Sequence, residues 1–147
     1  MQGEIMQAEK TQNIGYELFN KLLKAFNQSA EEVLSLFNDD VVIEYPYAAS
    51  LGAPIRLNKQ EYSAHLEFIL PQMPGITFSE IRIYPLSETD SYWAETHGEA
   101  IMRETAKKYE QDYVMYFTIR DGKFGFYREY WNPQAFLQAS DGLENTK

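Results

Sequence analysis

The chain has 147 residues, 44% of them hydrophobic, a formal net charge of −9 and no cysteine. This length and apolar content suit one compact domain and leave too little chain for two. The acidic balance argues against nucleic acid and anionic membrane as partners, and the missing cysteines remove disulfides, thiolate catalysis and cysteine-ligated metal.

Residues 1–10 are polar, of mixed charge and expected to be flexible; they lack the apolar centre of a signal peptide. No window is apolar enough to span a membrane, so a soluble, cytoplasmic protein is expected. From about Thr11 to Phe26 the spacing of Ile14, Leu18, Leu22, Ala25 and Phe26 predicts an amphipathic helix. Ser29 followed by Glu32 is a capping-box pattern, which predicts a short second helix through Val33, Leu34 and Phe37. Asn38-Asp39-Asp40 ends it, and Val41 to Tyr45 reads as a strand that stops at Pro46. A loop to Leu57 follows. Asn58 with Glu61 then opens a third helix, carrying Tyr62, His65, Leu66, Ile69 and Leu70 and ending near Pro71.

The second half changes character. Ile76 to Leu86, Tyr92 to Glu104, Gln111 to Arg120 and Lys123 to Trp131 read as strands, with Asp121-Gly122 as a two-residue hairpin turn. Asn132-Pro133 caps a short terminal helix through Phe136 and Leu137, and residues 140–147 are expected to fray. The pattern is one α+β domain over residues 11–139, its helices on one face of a curved antiparallel sheet with a pocket between them.

The aromatic content, 11 Tyr, 9 Phe and 2 Trp, concentrates attention on Lys123 to Trp131. Strand alternation places Tyr127, Glu129 and Trp131 on one face and Phe124, Phe126, Arg128 and Tyr130 on the other, so both faces are expected to be covered. Glu129 between two inward aromatics loses water, and that raises a carboxyl pKa towards the range useful for proton transfer. Its plainer reading is a salt bridge with a nearby Arg or Lys. His65 lies one helical turn from Tyr62 and Ile69 and faces the sheet, as a proton carrier or as a hydrogen-bonded core histidine. Tyr45 and Tyr47 share one strand phase, towards the cavity or as core packing, while Tyr127 and Trp131 serve as pocket walls. Glu95, His97 and Glu99 also share one face; continued by Arg103, they read as a polar stripe, and no metal site is assigned. No phosphate loop or other cofactor motif is present, and no cofactor is expected.

Phe37-Asn38-Asp39-Asp40 leading into Val42-Ile43-Glu44-Tyr45-Pro46, together with the ending Asp121-Gly122-Lys123 to Trp131, resembles the nuclear transport factor 2-like superfamily. That superfamily includes SnoaL-like cyclases and ketosteroid isomerases. The resemblance spans nearly the whole chain. It implies a cone-shaped α+β barrel, a curved sheet packed on three N-terminal helices around an apolar ligand cavity, with a homodimer through the convex sheet face. Steroid isomerases carry a base aspartate just before the proline of this motif, where this chain has Tyr45 before Pro46. Steroid isomerisation by the usual residues is therefore not expected. Gly52-Ala53-Pro54-Ile55, Ala64-His65 and Arg128-Glu129-Tyr130-Trp131-Asn132 look like the phenazine-biosynthesis A/B-type branch. By matched position that likeness implies His65 and Glu129 as an acid/base pair. The expectation is cofactor-free chemistry on a small apolar or aromatic molecule, as an isomerase, cyclase or phenazine-type condensing protein. A non-catalytic ligand-binding module and a structural dimerisation domain are the alternatives.

Overall fold

The computed structural model describes the backbone of residues 2–140 and the side chains of residues 14–140. The expected tail at 141–147 lies outside the described residues. Helix α1 (Gln2–Ala25) starts earlier than apolar spacing alone indicates. Gln, Glu, Met, Ala and Lys make up most of its first turns, so propensity continues the helix where the apolar stripe has not yet begun. Short α2 (Ala30–Leu34) follows, its Ser29 cap accepting from Glu32 N. The first strand, β1 (Phe37–Glu44), begins at Phe37 and not after Asp40. Phe37 therefore belongs to the sheet and not to the second helix.

After a 3-10 turn at Ala48–Leu51 come β2 (Arg56–Leu57) and α3 (Lys59–Ile69). A full capping box between Asn58 and Glu61 opens α3, with both bonds at 2.8 Å. Four long strands then run as β3 (Thr77–Pro85), β4 (Ser91–Ile101), β5 (Lys108–Arg120) and β6 (Lys123–Tyr130). Asp121 and Gly122 both take positive φ, 55° and 76°, which the two-residue hairpin turn between β5 and β6 requires. Helix α4 (Pro133–Ala139) closes the domain, with Asn132 accepting from Gln134 N.

The six strands form one sheet in the order β2-β1-β6-β5-β4-β3. Every pair is antiparallel except β1–β6, which is parallel, so the sheet is mixed where an antiparallel one was expected. Helix α1 packs on β3, α3 on β1 and α4 on β5, all through the same inner face. Phe19 of α1 stacks on Phe117, Tyr62 of α3 meets Phe37 edge-on, and Phe136 of α4 meets Tyr109. At Gly15 a methyl group would lie 2.5 Å from the Tyr92 ring, so α1 reaches the sheet only because this residue has no side chain.

The phase of β6 changes part-way. The pairing register with β5 shifts between Thr118 and Ile119, leaving Gly125 as the extra residue of a bulge. Phe124 and Tyr127 consequently both point inward and are fully buried, with ring centroids 5.5 Å apart. Phe124 was expected on the outer face; it instead packs against Phe37 and Phe117 at 4.7 and 5.0 Å. From Tyr127 onward the expected alternation holds. Phe126, Arg128 and Tyr130 face outward, and the Arg128 guanidinium lies over the Phe126 and Tyr116 rings while bonding Glu44 at 2.9 Å.

Candidate functional site

Between the inner sheet face and the helices lies a cavity of about 780 Å³. Its walls are mainly apolar, with Met73, Met102, Met115, Phe26, Phe78 and Ile76 among them. Several elements contribute polar groups to it. His65 comes from α3, Tyr45 from the residue after β1, Tyr109 and Tyr113 from β5, and Glu129 from β6.

Glu129 is the most perturbed acid. It pairs across the sheet with Met115, and its inward phase follows from Tyr127 two residues earlier. The plain reading, an ion pair with Arg or Lys, does not occur among the described residues: its hydrogen bond is from Tyr127 Oη to Oε1 at 2.7 Å. Part of its surface opens onto the cavity while protein encloses the rest, and this loss of water pushes its pKa up to about 7. The Tyr127 hydrogen bond favours the ionised form and limits the rise.

Five phenols surround this carboxyl closely enough to feel its charge: Tyr45, Tyr62, Tyr109, Tyr113 and Tyr127. Burial drives each above the usual phenol value, Tyr109 to about 12. They are hydrogen-bond donors at neutral pH and not bases. Tyr109 and Tyr113 share a 3.0 Å hydrogen bond, and Gln111 donates both to Tyr109 Oη at 3.1 Å and to the Asn132 carbonyl at 2.9 Å. Gln111 thereby ties β5 to the turn after β6. Among the described residues Tyr62 Oη is buried with no partner of hydrogen-bonding geometry, although Tyr45 lies close enough to perturb it.

His65 and Glu129 both line this cavity, without a direct hydrogen bond or ion pair between them. Tyr45 connects their surroundings, its ring 5.4 Å from His65 and 5.9 Å from Trp131. Burial holds the His65 pKa below its ordinary value, so the imidazole is neutral at pH 7. Trp131 lies in the cavity wall.

Two other expected wall residues sit elsewhere. Tyr47 is 53% exposed and packs on Tyr130 outside the cavity. The chain leaves the strand at Pro46 and turns into the 3-10 segment, so alternation no longer applies there. Tyr127 is fully buried behind the wall, where it positions Glu129 and does not meet the cavity. Conversely, Tyr109, Tyr113 and Met115 were not singled out, though their period-two spacing on β5 with Gln111 and Phe117 marks them as one inner face.

The Glu95, His97, Glu99 row lies on the outer face. His97 Nδ1 meets Asp112 at 2.7 Å and Nε2 meets Glu99 and Glu110 at 3.0 and 3.4 Å. His97, Glu99 and Glu110 are close enough together to ligate a metal. Lys108 already serves both Glu99 and Glu110 as a counter-charge at 3.4 and 3.6 Å, and the Asp112 bond raises the His97 pKa. The arrangement is a charge network on the sheet surface. Among the described residues, no helix is long and apolar enough to cross a membrane.

Comparison with known proteins agrees with this architecture. A PhzA/B-like protein of Pseudomonas aeruginosa is 31% identical over 119 residues, covering 80% of this chain and 83% of the relative. The crystal structure of a candidate isomerase from Bacillus subtilis superposes with a TM-score of 0.82 at 25% identity, covering 88% of this chain and 94% of that one. A phenazine biosynthesis-related protein from Pseudomonas aeruginosa superposes with a TM-score of 0.72 at 21% identity, over 92% and 90% of the two chains. The model of the SnoaL-like domain matches residues 18–125, from within α1 through the hairpin turn into β6. With the helices, the sheet order and the enclosed cavity all in place, the chain belongs to the SnoaL-like family of the nuclear transport factor 2-like superfamily.

Proposed function

We propose that this protein binds a small apolar or aromatic molecule in the cavity and moves a proton on it without a cofactor. The observation that carries this reading is Glu129. A carboxyl pushed up to about 7, held by one tyrosine and open to an apolar cavity, exchanges protons readily at neutral pH. Glu129 takes a proton from a carbon next to a carbonyl and returns it at a second position. The phenols, held protonated by burial, donate to the oxygen on which charge develops; Tyr45 and Tyr113 both border the cavity. Neutral His65, from α3 in the same cavity, is the second proton carrier. Isomerisation, cyclisation and phenazine-type condensation all use such a set, and relatives with isomerase and phenazine names support that range. The outer face, with Trp93, Tyr116, Phe126 and Tyr130 half-buried in a single chain, is assigned to a homodimer contact.

The test uses 2-tetralone, a small aromatic ketone with acidic C–H bonds, in deuterated buffer. Faster deuterium incorporation with the native protein than with buffer, lost in Glu129→Gln, is expected. Binding of the ketone without faster exchange favours a non-catalytic binding module, and absence of binding removes the reading of the cavity as a site for a neutral ketone.

A further inference from the structure

The cavity has a one-sided charge inventory. Three carboxylates border it, Glu129 in the wall and the exposed Glu61 and Glu104, and among the described residues neither lysine nor arginine does. The only other titratable group with a charged form near neutral pH, His65, is held uncharged by burial. Cationic side chains are instead spent on partners elsewhere: Arg128 and Arg56 on Glu44, Arg120 on Asp40, Lys59 on Asp39, and Lys108 on Glu99 and Glu110. The whole chain adds a net charge of −9. A ligand carrying a carboxylate or phosphate would enter with no counter-charge and would meet Glu129 in an apolar enclosure, where an unpaired ion is costly.

A positive group meets the opposite situation. Glu129 offers Oε2, which makes no hydrogen bond within the described residues, its other oxygen being taken by Tyr127. Beside it, the Tyr45 and Trp131 rings pack on each other, centroids 5.9 Å apart and inclined at 59°, and both border the cavity. Aromatic faces together with a carboxylate are the chemistry that recognises ammonium groups.

We propose that the natural ligand is an apolar cation: a hydrophobic or aromatic body with one ammonium group and no acid group, its nitrogen seated by Glu129, Tyr45 and Trp131. This rests on the reading of the cavity as a binding site and adds the ligand's charge to it. Seating the cation also ionises Glu129, the form that accepts a proton, so binding at neutral pH releases protons to buffer.

Three probes on one naphthalene body test the assignment by titration calorimetry at pH 7.5: 2-(aminomethyl)naphthalene, 2-(hydroxymethyl)naphthalene and 2-naphthoate. The amine is expected to bind at least about tenfold tighter than the alcohol, and the naphthoate at least about tenfold weaker. In Glu129→Gln the amine and the alcohol are expected to fall within about threefold of each other. Naphthoate binding as tightly as the amine, or an amine preference that survives Glu129→Gln, overturns the assignment. Alcohol binding with no preference for the amine overturns it while leaving the binding cavity intact. Binding of none of the three overturns both.

Discussion

Replacing Glu129 by Gln should separate stability from function, because the native carboxyl is held where its charge is unwelcome. An unfolded glutamate ionises near 4.5, whereas burial pushes Glu129 up to about 7 in the folded chain. Below 4.5 both states hold the proton and nothing is lost. Between these values the unfolded chain releases its proton while the folded one keeps it, so folding weakens as pH rises. Above 7 the penalty is complete, at about 3 kcal/mol. Glutamine cannot ionise, is nearly isosteric, and still accepts the Tyr127 hydroxyl through its carbonyl oxygen. Between pH 5 and pH 8 the stability of Glu129→Gln relative to native protein is therefore expected to rise by about 2.5 kcal/mol. His65, lowered by burial, contributes an opposite slope, but it does so in both proteins and cancels in the difference. Denaturant unfolding at matched pH values from 5 to 8 measures this directly. A difference that stays flat to within about 0.5 kcal/mol would mean that Glu129 ionises like an ordinary carboxyl, and the proton-carrier reasoning would fall.

Tyr127→Phe removes the one hydrogen bond that favours ionised Glu129, so the Glu129 titration midpoint should move upward in carbon NMR while stability drops by about 1 kcal/mol. A downward midpoint would contradict the hydrogen-bond assignment. Tyr62→Phe deletes a buried hydroxyl without a partner and should be neutral or stabilising by up to about 1 kcal/mol; a clear loss would reveal a partner for that hydroxyl. Gly15→Ala gains helix propensity, yet its methyl meets the Tyr92 ring, which is itself buried and stacked on Phe117. A net loss of about 1–3 kcal/mol is expected on thermal unfolding, and a stabilised variant would refute the close approach of α1. Phe126→Asp should convert a dimer to monomer in sedimentation while the cavity still binds its probes. A native protein already monomeric at micromolar concentration would rule out the outer-face contact.

The parts of the fold legible in the sequence are those set locally. Asn58 and Glu61, Ser29 and Glu32, and Asp121-Gly122 act through bonds or backbone angles within a few residues, and each marks its helix or turn in place. The inward phase of Tyr127, Glu129 and Trp131 was likewise legible, since it needs only two-residue alternation. What escaped is set by distant partners. Phe37 joins the sheet because it pairs with Phe124, and Phe124 turns inward because Gly125 adds one residue to the strand. A glycine inside an aromatic strand is a signal for such a bulge, though alternation by itself gives no place for it. Tyr47 shows the complementary error, a strand period carried past Pro46 where the strand has ended. The charge inventory of the cavity was not legible at all, because its carboxylates come from α3, β6 and the turn after β4 and meet only in the folded chain.

Carbon-13 NMR of protein labelled at the glutamate side-chain carboxyl, with Glu129→Gln used to assign the signal, follows the proton on Glu129 itself. A midpoint near 7 is the result expected of a carboxyl that carries protons into the cavity at neutral pH. A midpoint near the ordinary 4.5 would contradict it, leaving Glu129 a permanently charged wall residue.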